Sequence, residues 1–177
     1  VQWNSTKTAT NYNDWTTAGL QYFLNTESDE SETANAGYLS LLTSEAKEII
    51  SPTTYHLGNV DYNVSTVKLS YEQERDTSRK WTDNEESWDG LIGMMYPSDY
   101  GYSASNLYWE TDMYGWNSAE EDGVVARSTS WLYQTANHSH STYEWLLSPS
   151  SINSNYAMNW YSTGYVDYSY VYSNFGA

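Results

Sequence analysis

Two groups of residues in this chain have types and spacings that could do chemistry, and the first is acidic. Asp83, Glu85, Glu86 and Asp89, or Glu120, Glu121 and Asp122, could supply the carboxylate pair of glycoside hydrolysis, which needs two acids at a set separation. Charge runs of this kind face solvent, so hydrolysis is not expected and no catalytic residue is assigned. His138-Ser139-His140 would set two imidazoles on one face of a strand, the beginning of a metal site, but two incidental histidines in a polar loop are the simpler reading. The remaining histidine, His56, has no nucleophile motif to serve. Asp83-Asn84-Glu85-Glu86 and Glu120-Glu121-Asp122-Gly123 offer hard oxygens to calcium without the spacing of a calcium loop. No cofactor is expected, and loop calcium stays open.

The second group lies in the last thirty residues and is suited to recognition. Asn153, Asn155, Tyr156, Asn159, Tyr161, Asp167, Tyr168, Tyr170, Tyr172 and Asn174 alternate with the small or β-branched residues Ala157, Gly164, Val166 and Val171. In an extended segment that pattern turns the scaffold inward and the amide and aromatic side chains outward. Tyrosine gives large amphipathic contact area at low entropic cost, and asparagine gives adaptable hydrogen bonding. The competing reading is an ordinary β-rich surface with strand-forming tyrosines.

Helices and strands must position these residues. Asp14 precedes Trp15, Leu20, Phe23 and Leu24 at helical spacing, which predicts a helix over residues 14–25. Residues 27–35 read as an acidic solvated loop. Leu41, Leu42, Ala46, Ile49 and Ile50 around the capping run Thr43-Ser44-Glu45 predict a second, amphipathic helix over residues 40–50 that stops at Pro52. Residues 53–57 and 64–69 read as strands and 71–76 as a helical turn. From Leu91 onward, short apolar runs divided by Gly, Pro, Asn and Asp predict a small antiparallel sheet with long loops. The layout is α+β, and 177 residues suit one domain.

Composition narrows the partners. A net charge of −16 with seven Lys plus Arg repels phosphate backbones and anionic membrane surfaces, which argues against nucleic acid, and the lack of a long apolar run argues against membrane insertion. The absence of cysteine removes disulfides and thiol chemistry. Nine Trp and nineteen Tyr predict an aromatic core. The start at Val1-Gln2-Trp3, without a leader, reads as a mature product or an excised domain.

The run Ile92-Gly93-Met94-Met95-Tyr96-Pro97-Ser98-Asp99-Tyr100-Gly101-Tyr102, with Trp131-Leu132, Trp145-Leu146-Leu147-Ser148-Pro149-Ser150 and residues 157–171, resembles a family of extracellular domains from Firmicutes. Trp15 with Leu24-Asn25, Tyr38, and Tyr55-His56-Leu57-Gly58 extend the likeness to the front half. The tail is similar in turn to C-type-lectin-like domains, including formylglycine-generating-enzyme-like folds and the variable proteins of diversity-generating retroelements. The resemblance implies a C-type-lectin-like fold, two helices on a small twisted antiparallel sheet, displayed at the cell surface as an adhesion or ligand-binding module without enzymatic activity. A glycan or a protein would be the ligand, and the Asn and Tyr codons of the tail would be targets for diversification. Trp160 stands where that pattern carries a small β-branched residue and reads as core. Such domains continue with an Arg-Pro-containing closing strand, whereas this chain ends at Gly176-Ala177. Truncation is the expectation; the alternative is a strand supplied by a neighbour, as in a self-assembling, pilin-like filament.

Overall fold

The computed structural model describes residues 2–3, 13–26, 37–117, 126–135 and 143–173. The architecture is α+β, with short helices and two antiparallel sheets. The three-stranded sheet is a meander of β3 (Tyr143–Pro149), β4 (Tyr156–Tyr161) and β5 (Val166–Tyr170), as the tail pattern predicts. A two-stranded sheet joins β1 (Thr53–His56) to β2 (Ser87–Gly90). No helix among the described residues is long and apolar enough to cross a membrane.

Alternation along the meander feeds two separate aromatic cores. Leu146, Met158, Trp160 and Val166 pack into one cluster with Val60, Val67, Tyr100, Met113 and Trp116. Trp145, Leu147, Ala157 and Val171, on the opposite parity, pack into a second with Trp3, Trp15, Leu20, Leu57 and Tyr96. Period-two strands carrying apolar residues at both parities are buried on both faces. The expected inward-and-outward division of the tail therefore fails in the middle of the sheet, where residues 157–160 are all buried. The scaffold itself is where the sequence put it: Ala157, Val166 and Val171 are buried, and Trp160 is core.

The helices depart from expectation in instructive ways. The first predicted helix is broken in two: Asp14 caps a 3-10 turn over Trp15–Thr17 by accepting from the Thr16 N–H at 3.0 Å, Ala18 is extended, and α1 (Gly19–Asn25) starts anew. Trp15 and Ala18 are both fully buried at that break. The second is a 3-10 turn at Tyr38–Leu41 followed by α2 (Ser44–Ile49), capped by Thr43, whose hydroxyl accepts from the Ala46 N–H. None of the α2 side chains is buried, and Ile49 is 83% exposed, so its apolar periodicity does not face the core.

The predicted strand over 64–69 is replaced by α3 (Val67–Arg75), which absorbs the expected helical turn. Thr66 decides this, because its hydroxyl caps the helix by accepting from the Leu69 N–H at 3.0 Å, and Val67 then enters the core. The Tyr-Pro-Ser-Asp motif opens α4 (Pro97–Tyr102): Pro97 occupies the first turn, and the Asp99 carboxylate accepts from the Tyr96 N–H at 2.9 Å. Residues 126–129 form α5, and Trp131–Thr135 form α6. The expected pair of helices on a sheet is thus a larger set of short helices.

Candidate functional site: a belt of tyrosines

The tail tyrosines sit on the meander and its turns, held there by core residues on either side of them. Cross-strand registry sets Tyr156 of β4 opposite Tyr170 of β5, with ring centroids 4.4 Å apart. Tyr168, opposite the buried Met158, packs 5.0 Å from Tyr156. Tyr172 continues the row, stacked 5.1 Å from Tyr170. At the other end, Tyr143 and Tyr161 face each other across β3 and β4 at 4.3 Å. Gly164, with φ +94, lets the β4–β5 turn close, and Tyr165 meets Tyr161 at 5.3 Å.

Two loop tyrosines join these halves. Tyr62 lies 5.1 Å from both Tyr168 and Tyr114, and Tyr114 lies 6.0 Å from Tyr165. Tyr62 is placed by its neighbour Asp61, which accepts from Gln73 Nε2 and pairs with Arg79 at 2.9 Å beside the Val60–Ser150 bridge. Tyr114 is placed by Asp112, which accepts from its N–H at 2.8 Å, and by Met113, which is buried in the core. Nine tyrosines thus form an unbroken series of ring contacts from Tyr172 to Tyr143, and every one keeps solvent exposure.

The tyrosine rings of the belt carry no charge and are rich in hydroxyls. A hydrogen bond shared with Tyr170 and partial burial push the Tyr156 hydroxyl up to about 12; burial does the same to Tyr165, also to about 12. Burial also raises Tyr143 and Tyr168. These phenols stay protonated at ordinary pH and both donate and accept hydrogen bonds. Asp167 lies in the same region, raised by burial against the lowering effect of the Tyr168 N–H, which donates to it at 2.8 Å.

No family model, curated protein or solved structure matches this chain. What the site can do therefore follows from its own chemistry.

Of the residues the sequence singled out, Tyr156, Tyr161, Tyr168, Tyr170 and Tyr172 come together on the belt, with Asp167 among them. Asn153 and Asn155 occupy the turn leading into β4, where the Asn153 side chain accepts from the Asn155 N–H at 2.9 Å and the Asn13 amide donates to the Asn153 carbonyl at 3.3 Å. Asn174 lies outside the described residues, as do Glu120 to Asp122 and His138 to His140. Asp83, Glu85, Glu86 and Asp89 are exposed; Glu86 pairs with Lys80 at 3.7 Å and Asp89 accepts from Thr54. No group of three or more metal-ligating side chains occurs among the described residues.

Asn159 corrects the reading of the tail. It is fully buried between Trp145 and Asp167 in the registry of the central strand, and both atoms of its amide lack a hydrogen-bond partner. A buried amide without partners costs about 1–3 kcal/mol. Asn159→Val, with a β-branched apolar side chain suited to a central strand, is expected to stabilise the fold by about 1 kcal/mol, read from denaturant midpoints, and to leave ligand binding unchanged. Loss of binding at unchanged stability would return Asn159 to the site. Sequence reasoning missed Tyr62, Tyr114, Tyr143 and Tyr165. Tyr165 carried a signal, its place beside the turn glycine, whereas Tyr62 and Tyr114 reach the belt only through the tertiary fold.

The strongest perturbed acid lies elsewhere. Glu74 on α3 is fully buried, and burial pushes it up to about 7 against the lowering effect of its hydrogen bonds from Ser98 and Ser70 and of Arg75. Its carboxylate accepts from the Ser98 N–H at 2.8 Å and the Ser70 hydroxyl at 3.1 Å, and pairs with Arg75 at 3.0 Å. Such a perturbed acid in a cleft would be a catalytic candidate. Sealed from solvent between α3 and α4, Glu74 is a structural clasp.

Proposed function

We propose that this chain is a ligand-binding module, C-type-lectin-like in fold and displayed at the cell surface, that holds a neutral glycan along the tyrosine belt. The observation that carries the reading is the continuity of the nine partly exposed rings. Aromatic faces pack against the C–H-bearing faces of sugar rings, while neighbouring phenol hydroxyls satisfy the sugar hydroxyls. Tyrosines already held by ring contacts and strand registry lose little rotamer freedom on binding. A charge of −16 disfavours polyanionic ligands, which favours an uncharged glycan. The belt offers contact surface and no catalytic pair, in keeping with binding rather than turnover. Binding residues are Tyr156, Tyr161, Tyr168, Tyr170 and Tyr172, extended by Tyr62, Tyr114, Tyr143 and Tyr165.

Alanine replacement of Tyr168 or Tyr170 is expected to weaken glycan affinity about five- to thirty-fold, or roughly 1–2 kcal/mol, at a melting temperature close to that of the parent. Unfolding of both variants would make those rings structural and sink the site assignment. A strand-exchange filament is less well supported, because amides along the sheet edges already have partners. Leu147 N–H donates to Met95 O at 2.9 Å, Val166 N–H to Met113 O at 3.2 Å, and Tyr168 N–H to the Asp167 carboxylate.

A further inference from the structure

A recess of about 430 Å³ opens between α4 and α6, lined by Met95, Asp99, Tyr102, Ser103, Trp131 and Leu132. It shares no residue with the tyrosine belt, and its volume falls within the range of small-ligand sites. The walls are fixed by bonds that do not depend on an occupant. Trp131 N–H donates to Ser103 O at 3.2 Å, and the Ser103 hydroxyl is in contact with that of Ser130, which ties α6 to α4. Met95 O accepts from Leu147 N–H, which ties the floor to β3, and Tyr102 packs edge-on to Trp109 at 4.9 Å.

Within this frame two large aromatic side chains are partly exposed, Trp131 at 61% and Tyr102 at 37%. Beside them stands an exposed carboxylate, Asp99, and no lysine or arginine among the described residues pairs with it. Aromatic faces attract a cation through the ring quadrupole, methionine and leucine favour an apolar body, and one carboxylate supplies the complementary charge. An anion is repelled by Asp99, and an uncharged ligand gains no attraction from that carboxylate.

We propose that the recess is a binding site for a small organic cation of the alkylammonium class, with the ammonium group beside Asp99 and its methyl or methylene groups against Trp131, Tyr102 and Met95.

The test uses choline and its uncharged isostere 3,3-dimethyl-1-butanol, titrated into the full chain by calorimetry with tryptophan fluorescence in parallel. Choline is expected to saturate a single site and the alcohol to bind at least ten-fold more weakly. Asp99→Asn and Trp131→Ala are each expected to weaken choline roughly three- to thirty-fold. Asn at position 99 keeps an oxygen for the Tyr96 N–H, and Trp131 is largely exposed, so both variants should fold, which circular dichroism verifies. Equal binding of choline and the alcohol would show an apolar recess without cation selectivity. That result, an absence of saturable choline binding, or unchanged affinity in both folded variants would each overturn the proposal.

Discussion

Trp160→Ala is expected to destabilise the protein by about 3–5 kcal/mol, the usual range for emptying a large aromatic site in a core. Trp160 is 3% exposed and sits on the central strand at the middle of the larger cluster. Its ring meets Tyr100 at 5.0 Å and Tyr133 at 6.3 Å, and its indole N–H donates to Glu144 at 3.0 Å. Tyr100 in turn meets Trp116 at 5.6 Å and donates to Gly164 O at 2.8 Å, so one side chain joins α4, the strands and the belt's turn. Neighbours of this size, already hydrogen-bonded, collapse poorly into the space left behind. Against a total stability of about 5–15 kcal/mol the loss is severe, and the melting temperature should fall by roughly 10 °C or more. A fall of only a few degrees would show that the cluster is not the cohesive centre of the fold.

The second large effect is a pH dependence that originates at Glu74. Its ordinary value of 4.5 rises to about 7 in the folded protein, chiefly through burial, so the folded state holds a proton that the unfolded chain releases between those limits. A carboxyl raised in this way contributes stability that is fully present below pH 4.5 and is lost as pH rises through about 7. The loss amounts to about 3 kcal/mol. Asp112 and Asp167, both raised by partial burial, act in the same direction. Glu74→Gln carries no proton to release, while its amide oxygen can still accept from the Ser98 N–H and the Ser70 hydroxyl. Urea midpoints taken from pH 4.5 to pH 7.5 should therefore fall more steeply for the parent than for Glu74→Gln. Parallel profiles for the two proteins would show that Glu74 is ionised at neutral pH inside the fold.

Local signals were legible in the sequence where short-range chemistry decides the outcome. The caps at Asp14 and Thr43, the β1 strand and the burial of Ala157, Val166 and Val171 all depend on chemistry within a few residues of themselves. What escaped depends on tertiary context. A β-branched run at 64–67 looks extended until the Thr66 hydroxyl finds the Leu69 N–H and starts a helix. Ile49 and Leu41 recur at helical spacing yet stay exposed, because periodicity does not reveal what lies opposite. Asn159 looked like its surface neighbours because alternation assigns faces only when one side of a sheet is open, and here both are covered. The belt was half legible: its tail members stood out as a cluster of tyrosines within one short segment, whereas Tyr62 and Tyr114 arrive from loops more than fifty residues apart.

The most direct test of the belt as a binding surface is a tyrosine-selective NMR titration with a neutral oligosaccharide chosen from a glycan array. Saturable binding is expected, with the largest shifts confined to the belt, above all Tyr156, Tyr168, Tyr170 and Tyr62, and little change at Tyr22 or Tyr38. Failure of every neutral glycan to bind the folded protein, or a ligand whose shifts fall outside the belt, would contradict it.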